Sequence, residues 1–292
     1  MASEIILYGP ESEPYDVVTP NFSANTTARS PAPSGGPVIT ASTPVNPQIA
    51  LPAYRFQYPL GTQLILQDGR KFRYCNAGAS TLVVGNVISS AAVITTDQDM
   101  TPLTGTLPTG FTGGATVGEK AITFTHGAAT TIINFFAEGF VLVTITPGFA
   151  DTYKVACHIA LASAAAGDQV NLWPGHGIRR ALTSSSRISL YQHSYGGVIQ
   201  CAATISGAPV GIAVVAITNA KSGWLQTRGA CGVLGTGTLL IGSNAAVVQS
   251  GGTAGSVAPH SAGGAEAEGV IGVVQGVEAT TQASLIFLQI DG

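Results

Sequence analysis

The side chains best suited to nucleophilic catalysis in this chain are its four cysteines, with five histidines that could serve as their base. Such a nucleophile needs a base within hydrogen-bond reach. Cys157 and His158 are neighbours, but adjacent residues of a strand point to opposite faces, so these two side chains cannot pair there. The chain also lacks a Gly-x-Ser-x-Gly motif. The sequence therefore predicts no catalytic residue and favours a protein that is not an enzyme.

Metal and phosphate ligands are sparse. Asp97 and Asp99 form an acidic pair, which supplies too few oxygens for a calcium loop. Residues 110–120 are rich in glycine, but they lack the Gly-Lys-Ser/Thr ending of a phosphate-binding loop, and no helical pattern follows them. The cysteines have no metal-ligand spacing and are predicted to be buried, reduced side chains: Cys75, Cys157, Cys201 and Cys231. We therefore expect no metal and no cofactor.

Aromatic side chains give the chain a second class of candidate site. Trp173 and His176 flank a Pro-Gly turn and could stack on a sugar ring, with Trp224 as a further platform. A structural turn with a packed Trp173 is the favoured interpretation. Exposure of these aromatics would favour a tail or fibre module that binds a receptor or glycan, and burial of both tryptophans would count against it. A glycan hydrolase would need a pair of carboxylates at a cleft, and the sequence suggests no convincing pair.

The elements that must position these residues are short strands. Residues 62–67 and 70–75 are strand-like runs joined by Asp68-Gly69, which predicts a hairpin with a two-residue turn. Residues 140–146 are apolar and rich in β-branched side chains, in an alternating pattern that is typical of a strand. Residues 211–218 form an apolar run that we expect to be buried on both faces. Many such runs are separated by glycine-rich turns, with almost no amphipathic helix. The pattern predicts an all-β fold, a β-sandwich or barrel-like body of short antiparallel strands.

The N-terminal part of the chain has a different character. Eight of the sixteen prolines lie in residues 1–50, among Ser, Thr, Asn and Gly. Such a stretch has too few apolar side chains to offset its ordering entropy. We therefore predict an extended arm over residues 1–52, able to reach up to roughly 165 Å, followed by a body over residues 53–292. A weak subdivision of the body falls near residues 147–153.

The composition is nearly free of charge. Only 9% of residues are charged, whereas soluble chains average about a quarter. A dispersed monomer needs a charged coat, so this shortage predicts a surface largely covered by partners; the other interpretation is a neutral secreted β-protein. The net charge of −3 does not indicate a protein that binds nucleic acid, since such binding depends on clustered positive charge. The N-terminus lacks a signal peptide, and the apolar runs are too short to span a bilayer, so we expect synthesis in the cytosol and no membrane partner.

Several segments together resemble virion proteins of tailed bacteriophages, among them head decoration, or cement, proteins of cyanobacterial and marine phages. The resemblance covers the chain from about Pro52 onward. It rests on the following residues: 60–62 and 68–74, 138–140 with 147–153, 188–191, 223–229 and 287–291.

This resemblance implies a β-rich protein, commonly a homotrimer, on the outer surface of the icosahedral head where capsomers meet. Its partners would be the major capsid protein and further copies of itself, with assembly in the host cytoplasm. The family supplies no functional residues to carry over. From the residues themselves, the candidates for capsid contact are the arm and the start of the body: Pro31, Pro33, Pro37, Pro44, Pro47, Tyr54, Arg55 and Phe56.

Overall fold

The structure is a computed structural model that describes residues 58–104, 113–127, 130–162, 167–202, 206–247, 253–260, 269–279 and 282–291, with the backbone alone of residues 7–8, 14–15 and 166. All eight candidates for capsid contact lie outside the described residues, as does nearly all of the predicted arm. Two short pieces of the arm are described, and their backbone forms strands.

The prediction of an all-β fold is confirmed. The paired strands are antiparallel and form two curled sheets. A 3₁₀ turn covers Thr95–Asp97. The strands in chain order are β1 (Leu7–Tyr8), β2 (Pro14–Tyr15), β3 (Gln63–Ile65), β4 (Lys71–Asn76), β5 (Val87–Ser89), β6 (Thr101–Pro102), β7 (Ala121–Thr125), β8 (Phe140–Ile145), β9 (Thr152–His158), β10 (Ala166–Leu172), β11 (Arg187–Tyr191), β12 (Ile199–Gln200), β13 (Pro209–Ala213), β14 (Ser222–Leu234), β15 (Asn244–Val247), β16 (Val257–Pro259), β17 (Val270–Gly276) and β18 (Ala283–Gln289).

The described residues fall into two compact units, and each unit contains one sheet. Unit one contains the described residues of Tyr54–Ala92 and Ser194–Gly292 together with β1 and β2, and unit two contains those of Val93–His193. Unit two is therefore an insertion in the sequence of unit one. Residues 147–153, where the sequence suggests a weak subdivision, lie inside unit two and include the β8–β9 connection and the first two residues of β9.

Unit one is built on a sheet whose strands run in the order β16-β15-β17-β18-β14-β4-β3-β1-β2. Strand β13 joins β14 to β5, and β5 also pairs with β12. The pairing of Leu7 with Leu64 and of Tyr8 with Gln63 sets β1 against β3. A part of the predicted arm thus belongs to the sheet of unit one.

Unit two has the strand order β11-β8-β9-β10-β7-β6. Alternate side chains of β8 are buried, as expected for a pleated strand with one face against a core, whereas β7, β9 and β11 contain runs of consecutive buried residues. That core includes Phe124, Phe136, Val141, Tyr153 and Ile188.

All four cysteines are buried and free, as predicted, and burial raises the pKa of Cys75 to about 12.

The predicted hairpin at Asp68-Gly69 is present as β3 and β4, but its loop has three residues rather than two. The Leu66 N–H donates to the Arg70 carbonyl, and the Gly69 N–H donates to the Leu66 carbonyl, both at 2.9 Å. Gly69 has φ of +84°, which suits the bulge that closes a three-residue loop. The Asp68 carboxylate accepts the Arg70 N–H at 3.0 Å and its Nε–H at 2.7 Å, and these contacts fix the longer loop.

The apolar run 211–218 is only partly a buried strand. Strand β13 ends at Ala213, and Val215 is exposed. The chain then turns so that Ile217 pairs with Leu82 in an isolated bridge. The apolar composition of the run therefore does not determine where the strand ends. The strand ends where its pairing with β14 and β5 ends.

Candidate contact surface and buried polar clusters

Cys157 and His158, the first candidates for catalysis, are both buried on β9. The Nδ1–H of His158 donates to the Ile159 carbonyl at 2.6 Å, and its Nε2 accepts the Phe136 N–H at 2.9 Å. The Cys157 thiol lies 3.5 Å from the Asn171 amide nitrogen, and burial raises its pKa. Each side chain has partners of its own, and a buried thiol with a raised pKa is a poor nucleophile.

A buried cluster around His126 went unrecognised at the level of the sequence. The Nε2 of His126 is hydrogen-bonded to the Asp97 carboxylate, and Nδ1 lies 2.9 Å from the Ala162 carbonyl and 3.7 Å from the Asp168 carboxylate. The Thr131 hydroxyl also reaches Asp97, at 3.4 Å. The chain separates His126 from Asp97 by 29 residues, and no local motif links them.

The partners of His126 place one of its ring hydrogens. Nδ1 faces the Ala162 carbonyl, which only accepts hydrogen bonds, so Nδ1 carries a hydrogen, and Nε2 shares a hydrogen bond with the Asp97 carboxyl group. The side chains of His126 and Asp97 are 0% exposed. Such an enclosed pair links two distant parts of the unit but offers no access to a substrate.

The three aromatic candidates for glycan binding are divided between the two units. Trp224 belongs to unit one, where it is buried against Tyr58 and Tyr74. Trp173 is in unit two, half-buried, and the Lys154 ammonium lies 4.1 Å from its ring centroid. His176 is exposed, and its N–H donates to the Trp173 carbonyl at 2.9 Å. A structural turn accounts for these contacts.

Three turns present large aliphatic side chains to solvent. In each turn the fourth residue donates its N–H to the first carbonyl, at 3.0 to 3.3 Å, and the third residue has positive φ. Turns are usually built from polar residues, glycine and proline. Here the first two positions are aliphatic and between 49% and 72% exposed: Val83 and Val84, Ile132 and Ile133, Leu240 and Ile241. We call these six side chains the apolar turn tips.

The tip of the β8–β9 hairpin is a fourth exposed apolar feature. Phe149 is 61% exposed and Ile145 46% exposed. The Arg180 side chain donates to the Phe149 carbonyl at 2.9 Å, and Arg187 pairs in register with Ile145. Arg179 lies beside this tip, since its guanidinium donates to the Thr152 carbonyl at 2.8 Å. We call Ile145, Phe149, Arg179, Arg180 and Arg187 the arginine tip.

The electrostatics of the arginine tip centre on Asp151. Arg180 donates to both carboxylate oxygens of Asp151 at 2.9 Å, and the Tyr153 hydroxyl donates to one of them at 3.2 Å. The hydrogen bonds from Arg180 hold the pKa of Asp151 below its ordinary value. The Tyr153 hydroxyl also accepts the Arg179 N–H at 3.0 Å, and the Arg179 guanidinium lies 5.4 Å from the Tyr153 ring centroid.

No protein-family model matches the chain, and no curated protein or solved structure is significantly similar to it. Within the described residues, no group of three or more His, Cys, Asp or Glu side chains is placed to hold a metal ion. That part of the chain also contains no helix long and apolar enough to cross a membrane.

The surface features were missed by sequence reasoning for a simple reason. Val84-Gly85 and Ile241-Gly242 place an aliphatic residue directly before a turn glycine, which is a readable signal. Phe149 and Arg180 are 31 residues apart in the sequence, and only the fold brings the Arg180 side chain to the Phe149 carbonyl. Their proximity depends on pairing that the sequence does not display.

Proposed function

We propose that this chain is a capsid decoration protein of a tailed phage, which binds the outside of the expanded head at capsomer junctions and stabilises it. The observation that carries the proposal is the set of apolar turn tips on a chain with only 9% charged residues. In each turn two neighbouring aliphatic side chains are exposed, and such exposed apolar surface is a candidate for burial by a partner. The resemblance to phage virion proteins supplies the identity of the partner.

Binding in this proposal is mechanical. Burial of a fully exposed aliphatic side chain contributes about 1.5–3 kcal/mol, so each half-exposed turn tip contributes on the order of 1 kcal/mol when a partner covers it. Several such contacts for each copy, and several copies for each capsomer, raise the cost of displacing any one subunit through avidity. A homotrimer would carry three sets of apolar turn tips, one from each copy of the chain.

The N-terminal arm has a separate role in the proposal. Deleting residues 1–50 is expected to leave a folded body that binds heads more weakly, because an arm of this kind orders on its partner. Deleting residues 1–15 alone removes β1 and uncovers the edge of β3. Equal losses from both deletions would assign the effect to β1 and contradict a role for the reach of the arm.

The proposal is tested by counting copies of the chain in purified virions by quantitative mass spectrometry against the major capsid protein. Hundreds of copies in a fixed ratio to the shell subunit are expected. A few to a few tens of copies would contradict decoration and favour a tail or fibre module, and absence from the particle would reopen an enzymatic role.

A second test addresses the turn tips directly. The triple variant Val84→Ser, Ile133→Ser, Ile241→Ser should bind purified heads lacking the chain at least tenfold more weakly than the unmodified protein. Val270→Ser changes an exposed valine at the start of β17 and is the matched control. A triple variant that binds as tightly as the control would remove the observation on which the proposal rests.

A further inference from the structure

We infer that the arginine tip is the hot spot of the interface and that it docks on an acidic protein surface with an apolar pocket for Phe149. This inference rests on the proposed function, since it names the chemistry of the surface that the decoration protein contacts. Arginine and aromatic side chains dominate the energetics of protein interfaces, where the ring fills a pocket and the guanidinium pairs with a carboxylate.

The hairpin tip is rigid, which lowers the entropic cost of binding. Hydrogen bonds link the Ala150 N–H to the Val143 carbonyl, and the Asp151 N–H to the Gly148 carbonyl, both at 2.9 Å. The Ser186 hydroxyl donates to the Pro147 carbonyl at 2.8 Å. Together with the hydrogen bond from the Arg180 guanidinium to the Phe149 carbonyl, these contacts fix the backbone that carries the exposed ring of Phe149. An exposed side chain on a preorganised backbone gains affinity because less freedom is lost on binding.

The guanidinium groups are also held in place. Arg179 donates to the Thr152 carbonyl, and Arg187 donates to the carbonyls of Ser184 and Ser186, both at 2.9 Å. Each guanidinium has five N–H groups, so donors remain for a partner. A planar guanidinium fork fits a carboxylate in a bidentate manner, whereas a lysine does not.

The local charge is positive although the chain is acidic overall. Three of the five basic residues in Val93–His193 are at this tip, namely Arg179, Arg180 and Arg187. The carboxylates that face them are Asp151 and, 3.9 Å from Arg187, Asp99. In the described part of the chain, no carboxylate lies within 4.0 Å of Arg179. Arg179 is therefore a cation whose charge a partner carboxylate can neutralise.

The same cluster fits a protein better than a nucleic acid. Asp151 lies among the arginines and would repel a phosphate backbone, and the exposed Ile145 and Phe149 form an apolar centre. Nucleic-acid affinity depends on many cations that follow the phosphates, and the chain has a net charge of −3.

The test uses the full chain and DNA-filled heads of the encoding phage that lack this protein. Arg179→Glu and Phe149→Ser are each expected to lower the affinity at least tenfold, and Arg179→Lys is expected to give an intermediate loss. Lys221→Glu makes the same charge change in unit one, and Val93→Ser removes an exposed valine of unit two; both controls should bind normally. Melting temperatures of all variants should match, because these side chains lie on the surface.

The outcomes separate the two proposals. Failure of the unmodified protein to bind heads would overturn the proposed function, and this inference with it. Normal binding of both the unmodified protein and the Arg179→Glu and Phe149→Ser variants would overturn the inference alone. Binding of a labelled 30-mer DNA duplex by the unmodified protein, lost in Arg179→Glu, would also overturn it and assign the tip to nucleic acid.

Discussion

Two buried histidines of unit two show how different surroundings give one residue type different partners. The ring nitrogens of His158 bond to two backbone groups, namely the Phe136 N–H and the Ile159 carbonyl. A neutral ring with its hydrogen on Nδ1 satisfies both. His126 bonds to the Ala162 carbonyl through Nδ1 and to an ionisable side chain, the Asp97 carboxyl group, through Nε2.

The difference has an energetic consequence. A buried neutral ring costs little when each nitrogen has its complement, because the hydrogen bonds replace those with water. A buried ionisable side chain needs a partner, because an unpaired polar or charged group in the interior is expensive. Asp97 and His126 are both buried ionisable side chains and each is the partner of the other, so the stability of unit two depends more strongly on Asp97 than on either backbone partner of His158.

The largest expected effect is that of Asp97→Asn. The variant keeps the shape of the side chain but removes the carboxyl group with which buried His126 is paired, so unit two should lose about 3–5 kcal/mol in the free energy of unfolding. Urea unfolding in a Trp224→Phe background measures this, since Trp173 is then the sole tryptophan reporter. Asp99→Asn, at an exposed carboxylate, is the control and should be near neutral. A loss below 1 kcal/mol would show that His126 does not depend on the carboxyl group of Asp97.

A smaller effect is expected for His158→Gln. The amide cannot reproduce both contacts of the ring, so either the Phe136 N–H or the Ile159 carbonyl loses its partner, at a cost of about 1–3 kcal/mol. The same urea experiment applies, with His176→Gln as the exposed control. If His158→Gln cost more than Asp97→Asn, the ranking of the two sites would be reversed.

Asp168→Asn should produce a smaller, pH-dependent effect. Burial raises the pKa of Asp168, although the Ala162 N–H and His126 act in the opposite direction. A carboxyl group whose pKa is higher in the folded protein than in the unfolded chain stabilises the fold while it is protonated. This contribution is fully present below the pKa of the unfolded chain, about 3.9, and is lost as the pH rises through the pKa of the folded protein. The stability difference between the unmodified protein and the variant should therefore shrink as the pH rises from 4 to 7. A difference that grows over this interval would contradict the assigned direction.

The last prediction involves no change in stability. Long-range ¹H–¹⁵N spectra should show a hydrogen on Nδ1 of both rings, because Nδ1 of His126 faces the Ala162 carbonyl and Nδ1 of His158 faces the Ile159 carbonyl. Assignment uses the His158→Gln spectrum, from which one ring system disappears. A His158 ring with its hydrogen on Nε2 would contradict the hydrogen bond from the Phe136 N–H.

Local pattern was enough to predict part of this architecture. The hairpin at Asp68-Gly69, the buried cysteines and the all-β class follow from alternation, turn residues and side-chain polarity, which act over a few neighbouring positions. The loop length was wrong because the Asp68 contacts with Arg70 were not visible in the turn dipeptide.

The missed features depend on distant contacts. His126 meets Asp97 and Asp168 because three elements converge, and each residue alone has an ordinary interpretation as a lone polar side chain. The two-unit division also has no linker signal, because unit two begins and ends in ordinary turn sequence near Val93 and His193. In both cases the information lies in strand pairing rather than in local composition.

The nesting of one unit inside the sequence of the other sets an order for folding during synthesis. Strand β4 pairs with β14, with Tyr74 opposite Trp224, so the sheet of unit one must wait for the whole of Val93–His193 to be made. The described strands of unit two, β6 to β11, lie in one continuous segment, so this unit can form while the ribosome is still translating β12 to β18. Unit one must then close a loop of about 150 residues, a slow step because contacts of high sequence separation carry the greatest entropic cost. A folded insert shortens that search, since the bridge between Met100 and Ile188 holds the two end regions of the insert close together.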